Sequence, residues 1–363
     1  MTVILKTNMI KENREKIYSE LKISLERERI FSDSNQKEKI LDMILEKMDH
    51  IDIYYIYSNK ASNSIMFLDN ESIIIWDMNF WKCYENYLMQ VENCKRLNKN
   101  ITQGIICVVS EFLSDKYKSI PEISSFLKQI PDEFGIEIQF AEKYYDKIHS
   151  SIQMCKLFSF FHEIGHLEHN RKNSDRIKVC QELVLNLLDA VDEKDFLPLG
   201  EWSDLGWESV CLIREKKGNQ ILEELVCDVF AVMNMINYYK TFSCTNDFQL
   251  ACECVISVEY ISTFQNMFNA VNQAWDAHYI DMKFRLPVRK KEANHYVNEL
   301  AMARNGLCSL ILVIVINNML NIAKCDREKI WEYRDNNHID NEGVFSCLAA
   351  DDFICGAIED AFK

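Results

Sequence analysis

Apolar positions follow two different spacings along the chain. Over residues 1–50, isoleucines and leucines recur every three or four positions among lysines and glutamates, which predicts an N-terminal helical segment with a break at 32–35. The pattern of apolar positions then changes to short runs rich in Ile, Tyr and Trp at 51–57, 64–68 and 72–76. These runs predict three strands, the last two of which form a hairpin around the turn residues Asp69 and Asn70.

Helical spacing returns at position 79 and dominates the rest of the chain. It is strongest over 138–170, 220–239 and 248–275, whereas 105–109 fits either a strand or a short helix. The pattern predicts an α+β fold that is mostly helical, with a small antiparallel sheet packed on an active-site helix. The predicted divisions are an N-terminal helical segment at 1–50, a core at 51–290 and a C-terminal helical segment at 291–363.

Charge and cysteine content narrow the classes of function. The formal net charge of the 363 residues is -15, and no basic stripe is present, so a nucleic-acid partner is not expected. The most apolar run, 307–316, is about half the ~20 residues that a membrane span requires. The 14 cysteines show no repeating spacing, and residues 1–10 do not form a signal peptide. A cytoplasmic protein with reduced thiols is therefore predicted.

Candidate chemistry is concentrated in the helix predicted at 138–170. His162 and His166 are four residues apart, so they lie on one helical face and can bind one zinc ion. Glu163 is placed to act as the general base toward a water. The flanking residues are apolar, which predicts a buried helix, and two histidines and a glutamate are costly there unless they bind something. The alternative is a helix whose histidines are simply hydrogen-bonded in the core.

A second polar pair occurs in the helix predicted at 220–239. Glu224 could be the third zinc ligand, and Asp228, four residues later, could accept the free N–H of a ligand histidine. Two competing assignments remain. Glu223 is adjacent to Glu224 but has no acidic partner four residues on, and His169 is expected to lie outside the direct ligands or at the surface.

The combination His162-Glu163-x-x-His166 and Glu224-x-x-x-Asp228 resembles the gluzincin metallopeptidases. The strands before the first motif are similar to the sheet of minimal gluzincins, and the layout resembles the Lit-type peptidases, bacterial phage-exclusion enzymes that cut a host translation factor. The resemblance covers roughly residues 50–290. It implies a Zn²⁺ cofactor, a protein or peptide substrate paired with an edge strand, and a role in phage defence or in regulated cleavage of a host factor.

The predicted reaction is hydrolysis of a peptide bond in a cytoplasmic protein. The residue that stabilises the oxyanion is left open among four candidates, which are His278, Tyr279, Arg285 and Arg289. Other interpretations also stay open. The gluzincin-like domain could belong to a regulatory or sensor protein that is active only with an activating partner, the chain could hydrolyse a different amide, or it could be a structural protein with a degenerate site.

Overall fold

The computed structural model describes most of the chain. The ranges described are 31–33, 38–45, 51–58, 63–67, 72–97, 101–116, 121–133, 142–170, 174–195, 203–216, 219–242, 246–284, 307–308 and 310–337, with the single positions 19 and 48. Contacts divide the chain into two compact units, Met1–Lys82 and Cys83–Lys363. The division predicted at 1–50, 51–290 and 291–363 stays a prediction.

The described elements are short strands near the N-terminus and long helices after them. The strands are β1 (Phe31–Asp33), β2 (Ile51–Ser58), β3 (Ser64–Phe67) and β4 (Ser72–Asp77). The helices are α1 (Lys39–Leu45), α2 (Met78–Leu97), α3 (Ile101–Lys116), α4 (Pro121–Glu133), α5 (Glu142–Asn170), α6 (Asp175–Ala190), α7 (Ser203–Arg214), α8 (Asn219–Phe242), α9 (Asp247–Phe284), α10 (310–319) and α11 (Lys324–Asn337). The prediction of a mostly helical α+β protein is confirmed, and 105–109 is helical.

The sheet is mixed, so the prediction of an antiparallel sheet was wrong in one pairing. The strand order is β1-β2-β4-β3, with β4 parallel to β2 and antiparallel to β3. The predicted β3–β4 hairpin is confirmed. All six residues of β4 are buried, whereas β3 is exposed at both ends. Because the more apolar strand of the hairpin takes one of the two interior positions, it pairs with β2 on one side and with β3 on the other.

The N-terminal prediction also needs one correction. Phe31–Asp33, which overlaps the expected break between two helices, forms β1 and pairs antiparallel with β2 from Phe31↔Ser58 to Asp33↔Ile56. Polar residues in a predicted linker thus supply an edge strand, a role that spacing alone does not reveal. Helix α1 at Lys39–Leu45 agrees with the predicted helical pattern. Apart from Ser19, residues 1–30 lie outside the described ranges.

Asp77 joins β4 to α2. Its buried carboxylate accepts hydrogen bonds from the backbone N–H of Ser58 (3.2 Å), from the Ser58 hydroxyl, and from the N–H of Asn79 (2.9 Å). The bond to Asn79 caps the first turn of α2, and those to Ser58 tie the end of β2 to the end of β4. One carboxylate therefore sets both the sheet's register and the start of the helix.

Two buried helices pack against each other in the second unit. Helix α5 lies along α8, and α8 also contacts α6 and α7. Every residue from Leu225 to Val232 on α8 is buried, so this part of the helix is enclosed on all sides. In the described ranges, no helix combines the length and apolarity that a bilayer crossing requires.

Replacing Asp77 should destabilise the N-terminal unit. We expect Asp77→Ala to lower the free energy of unfolding by about 2–4 kcal/mol, because buried donors on Ser58 lose their acceptor. Asp77→Asn keeps one acceptor oxygen and should lose less. Urea unfolding followed by tryptophan fluorescence measures both variants. Equal stability of wild type and Asp77→Ala would contradict this role.

Candidate metal centre

Helices α5 and α8 bring three metal-binding side chains to one point. The Nε2 atoms of His162 and His166 are 3.1 Å apart. Oε2 of Glu224 lies 3.4 Å from Nε2 of His162, and Oε1 lies 3.6 Å from Nε2 of His166. Within the part of the chain that the structure describes, the donor atoms of these three side chains are close enough together to hold one metal ion. The structure thus brings together the three residues predicted as ligands.

The three donor atoms have the spacing that zinc requires. Bonds of about 2.0–2.1 Å directed to the corners of a tetrahedron place the ligand atoms about 3.3 Å apart. The two imidazole nitrogens are 3.1 Å apart, and each has a different oxygen of Glu224 at 3.4 or 3.6 Å, so each of these distances lies close to that value. Two imidazoles and one carboxylate are also the donors that suit zinc, and three protein ligands leave a fourth position open. The residues present therefore fit a zinc ion.

A glycine allows the two helices to approach this closely. A Cβ atom built on Gly165 would lie 3.0 Å from Cα and 3.1 Å from Cβ of Cys227. These distances are shorter than most contacts between packed carbons, so a larger residue would require α8 to shift away from α5 by a few tenths of an ångström. Gly165 lies between Glu163 and His166, and Cys227 lies one turn after Glu224. The close contact is therefore at the level of the ligands.

Asp228 lies behind His162, as predicted from sequence. Its Oδ1 is 2.8 Å from Nδ1 of His162, and the residue is 1% exposed. A carboxylate at Nδ1 favours the imidazole tautomer with the proton on that nitrogen. The Nε2 lone pair of His162 is then directed toward Glu224 and His166, which is the state that a metal ligand requires.

Three residues next to the candidate ligands make contacts that were not predicted from the sequence, where Glu223 was considered only as a competing ligand. Oε1 of Glu223 lies 3.5 Å from Nδ1 of His166. A carboxylate there can favour the tautomer with the proton on Nδ1 of His166, as Asp228 does for His162. Cys227 Sγ is 3.6 Å from the same nitrogen. Cys308 Sγ donates a hydrogen bond of 3.2 Å to Oδ2 of Asp228. The adjacency of Glu223 to Glu224 was a usable signal, whereas no spacing pointed to Cys308.

The structure describes some of the remaining predicted site residues fully, some only in their backbone and some not at all. Glu163 is half-buried on α5, next to His162. His169 lies 3.9 Å from Glu223 and is outside the ligand triangle, as expected. Positions 278 and 279 belong to α9, but the side chains of His278 and Tyr279 lie outside the described residues. Positions 285 and 289 lie outside them altogether, so the oxyanion candidates stay predictions.

Burial makes His166 a weak base. Its surroundings lower the pKa of His166 below the ordinary 6.5, first because burial disfavours the charged imidazolium and second because His162 is close; Glu224 and Glu223 oppose this shift. An imidazole with a lowered pKa is neutral at pH 7. Its ring nitrogen is then available to a metal without first losing a proton.

No protein-family model, curated protein or solved structure matches the chain. The geometry of the centre is a triangle of two imidazoles and a carboxylate, with a further carboxylate behind each imidazole. Such an arrangement is suited to hold a divalent metal with a fourth coordination position left open.

Gly165→Ala should destabilise the protein although alanine is the better helix former. An exposed Gly→Ala change in a helix usually gains up to about 1 kcal/mol. Here the added methyl group meets the backbone of α8, so we expect a loss of about 1–3 kcal/mol in urea unfolding. Ser159→Ala, a buried change on the same helix that adds no bulk, should be close to neutral. A stabilised Gly165→Ala protein would contradict the tight crossing.

The metal-free protein should lose stability as the pH falls below about 6.5. The unfolded chain protonates His166 near its ordinary pKa, whereas the folded chain does so only at lower pH, so acid favours the unfolded state. His166→Gln cannot take up the proton and should show a smaller fall in urea midpoint between pH 7 and pH 5.5. Parallel pH profiles of the two proteins would contradict the lowered pKa.

Proposed function

We propose that this protein is a zinc-dependent peptidase. The observation that carries the proposal is the donor triangle of His162, His166 and Glu224, with separations of 3.1–3.6 Å. The resemblance of both motifs to the gluzincin pattern supplies the reaction class. Zinc, when bound, supplies the Lewis acidity that polarises a peptide carbonyl and makes a water more acidic.

The other roles in the proposed reaction are assigned to side chains of the protein. His162, His166 and Glu224 would hold the ion, and Asp228 and Glu223 would orient the two imidazoles. Glu163, half-buried beside His162, would take the proton of the attacking water and deliver it to the nitrogen of the departing amine. The proton thus moves from water to leaving group through one carboxylate, and the peptide bond gains one water.

Half-burial of the ligands suits this chemistry. The side chains of His162, His166 and Glu224 are 14%, 18% and 25% exposed, so the centre is accessible to solvent but largely screened from bulk water. Screening strengthens the pull of a divalent ion on its ligands. An open side lets an extended peptide reach the ion. Pairing of that peptide with a strand edge, and cleavage of a host factor during phage infection, stay predictions of the resemblance.

Metal analysis of purified protein tests the ligand set. The wild type should hold about one zinc per chain, and Glu224→Ala should lose most of it, because two imidazoles alone do not form a tight site. Glu168→Ala is the matched control, since Glu168 is also half-buried near the ligands but accepts a hydrogen bond from Ser174 instead. A wild type without zinc after reconstitution would overturn the proposal.

The variant Glu163→Gln distinguishes the role of general base from that of zinc ligand. The variant should keep its zinc and lose cleavage of a random peptide library by about 100-fold or more, as expected when a general base is removed. Glu168→Gln should retain both properties. Mass spectrometry of the library products gives cleavage rates and sites together. Cleavage by Glu163→Gln at the wild-type rate would show that another group is the base.

A further inference from the structure

The support of the zinc ligand His162 extends one residue beyond Asp228. Asp228 is 1% exposed and 2% exposed in its side chain, so its carboxylate lies away from water. Its Oδ1 faces Nδ1 of His162 at 2.8 Å, and its Oδ2 accepts the thiol of Cys308 at 3.2 Å. A buried carboxylate is stable only when donors replace the lost water. Each oxygen of Asp228 thus has a named partner.

We propose that Cys308 is a positioning residue that holds Asp228, and through it His162, in the orientation needed to bind zinc. This inference rests on the proposed function. The torsion that rotates a carboxylate about its Cβ–Cγ bond is soft, so a single partner on Oδ1 does not fix the plane of the group. A donor on Oδ2 fixes it. The direction of Oδ1 toward His162 is then determined by both contacts.

The segment that carries Cys308 is itself held in place. Cys308 is helical, lies two residues before the start of α10, and is 3% exposed. Nearby, Arg334 of α11 pairs with Glu259 of α9 at 2.8 Å, with both side chains less than a tenth exposed. These residues and Cys308 border a void of about 10 Å³, which is no larger than one water. Cys308 therefore has little room to move away from Asp228.

The consequence is a link between distant parts of the sequence. Cys308 and Asp228 are 80 residues apart, and the zinc motif precedes both. Residues after 290 were expected to form a separate helical segment. The contact with Asp228 gives this segment a role at the metal centre, because Cys308 supports Asp228, which in turn supports His162. A thiol is a weak donor, so it orients the carboxylate while leaving most of its charge for the imidazole of His162.

Zinc affinity of the full-length protein, measured by competition with a chelating dye, tests the role. We expect Cys308→Ala to weaken zinc binding by about 3- to 10-fold, less than the roughly 10- to 100-fold typical of the carboxylate that touches the ligand directly. Cys308→Ser keeps a donor and should restore most of the affinity. Cys180→Ala is the control, because Cys180 is also buried but contacts Met233.

A second readout does not need the metal. In ¹⁵N-histidine spectra of the metal-free protein, His162 should carry its proton on Nδ1 in the wild type and in Cys308→Ser. In Cys308→Ala the two tautomers should mix. Wild-type affinity in Cys308→Ala, or equal weakening by Ala and Ser with a normal Cys180→Ala, would overturn the positioning role alone. A wild type that binds no zinc would overturn the proposed function as well.

Discussion

Helices α5 and α8 meet at Gly165, and the metal centre depends on that contact. A Cβ at this position would lie 3.0 Å from the Cα of Cys227, so a larger residue would move the two helices apart by a few tenths of an ångström. His162 and His166 extend from one helix and Glu224 from the other. The oxygens of Glu224 lie 3.4 and 3.6 Å from the two imidazole nitrogens because the two backbones are this close. Core packing thus fixes the geometry of the polar site.

The polar groups around the centre form successive layers. Two imidazoles and a carboxylate face one another where the proposed ion would bind, and Asp228 and Glu223 face the outer nitrogens of the imidazoles. Cys308 then faces Asp228. Each layer fixes the orientation of the one inside it, which matters because a metal ligand must present a lone pair in one direction. Burial contributes as well, since it lowers the pKa of His166 and keeps that imidazole neutral.

The local elements and the grouping of the candidate ligands could be predicted from the sequence for a physical reason. Residues four apart share a helical face whatever the rest of the fold does, so spacing alone pairs His162 with His166 and Glu224 with Asp228. The β3–β4 hairpin could be predicted equally well, because its turn residues lie between two apolar runs. Both are short-range features that the local pattern determines.

Features that join distant parts of the chain could not be predicted in this way. The parallel pairing of β2 with β4 depends on which strand takes the interior of the sheet, and β1 is a strand only because β2 offers it an edge. The approach of Cys308 to Asp228 spans 80 residues and has no repeating pattern. Gly165 likewise reveals its importance only through its neighbour on α8.

X-ray absorption at the zinc edge tests the central claim most directly, because it identifies the atoms bound to the ion. The donor triangle predicts a first shell of nitrogen and oxygen at about 2.0–2.1 Å, with two imidazole rings visible in the outer scattering. Cys227 Sγ, 3.6 Å from His166 Nδ1, is the nearby alternative ligand. A sulfur scatterer at about 2.3 Å, or a spectrum with no imidazole contribution, would contradict the assignment of His162, His166 and Glu224.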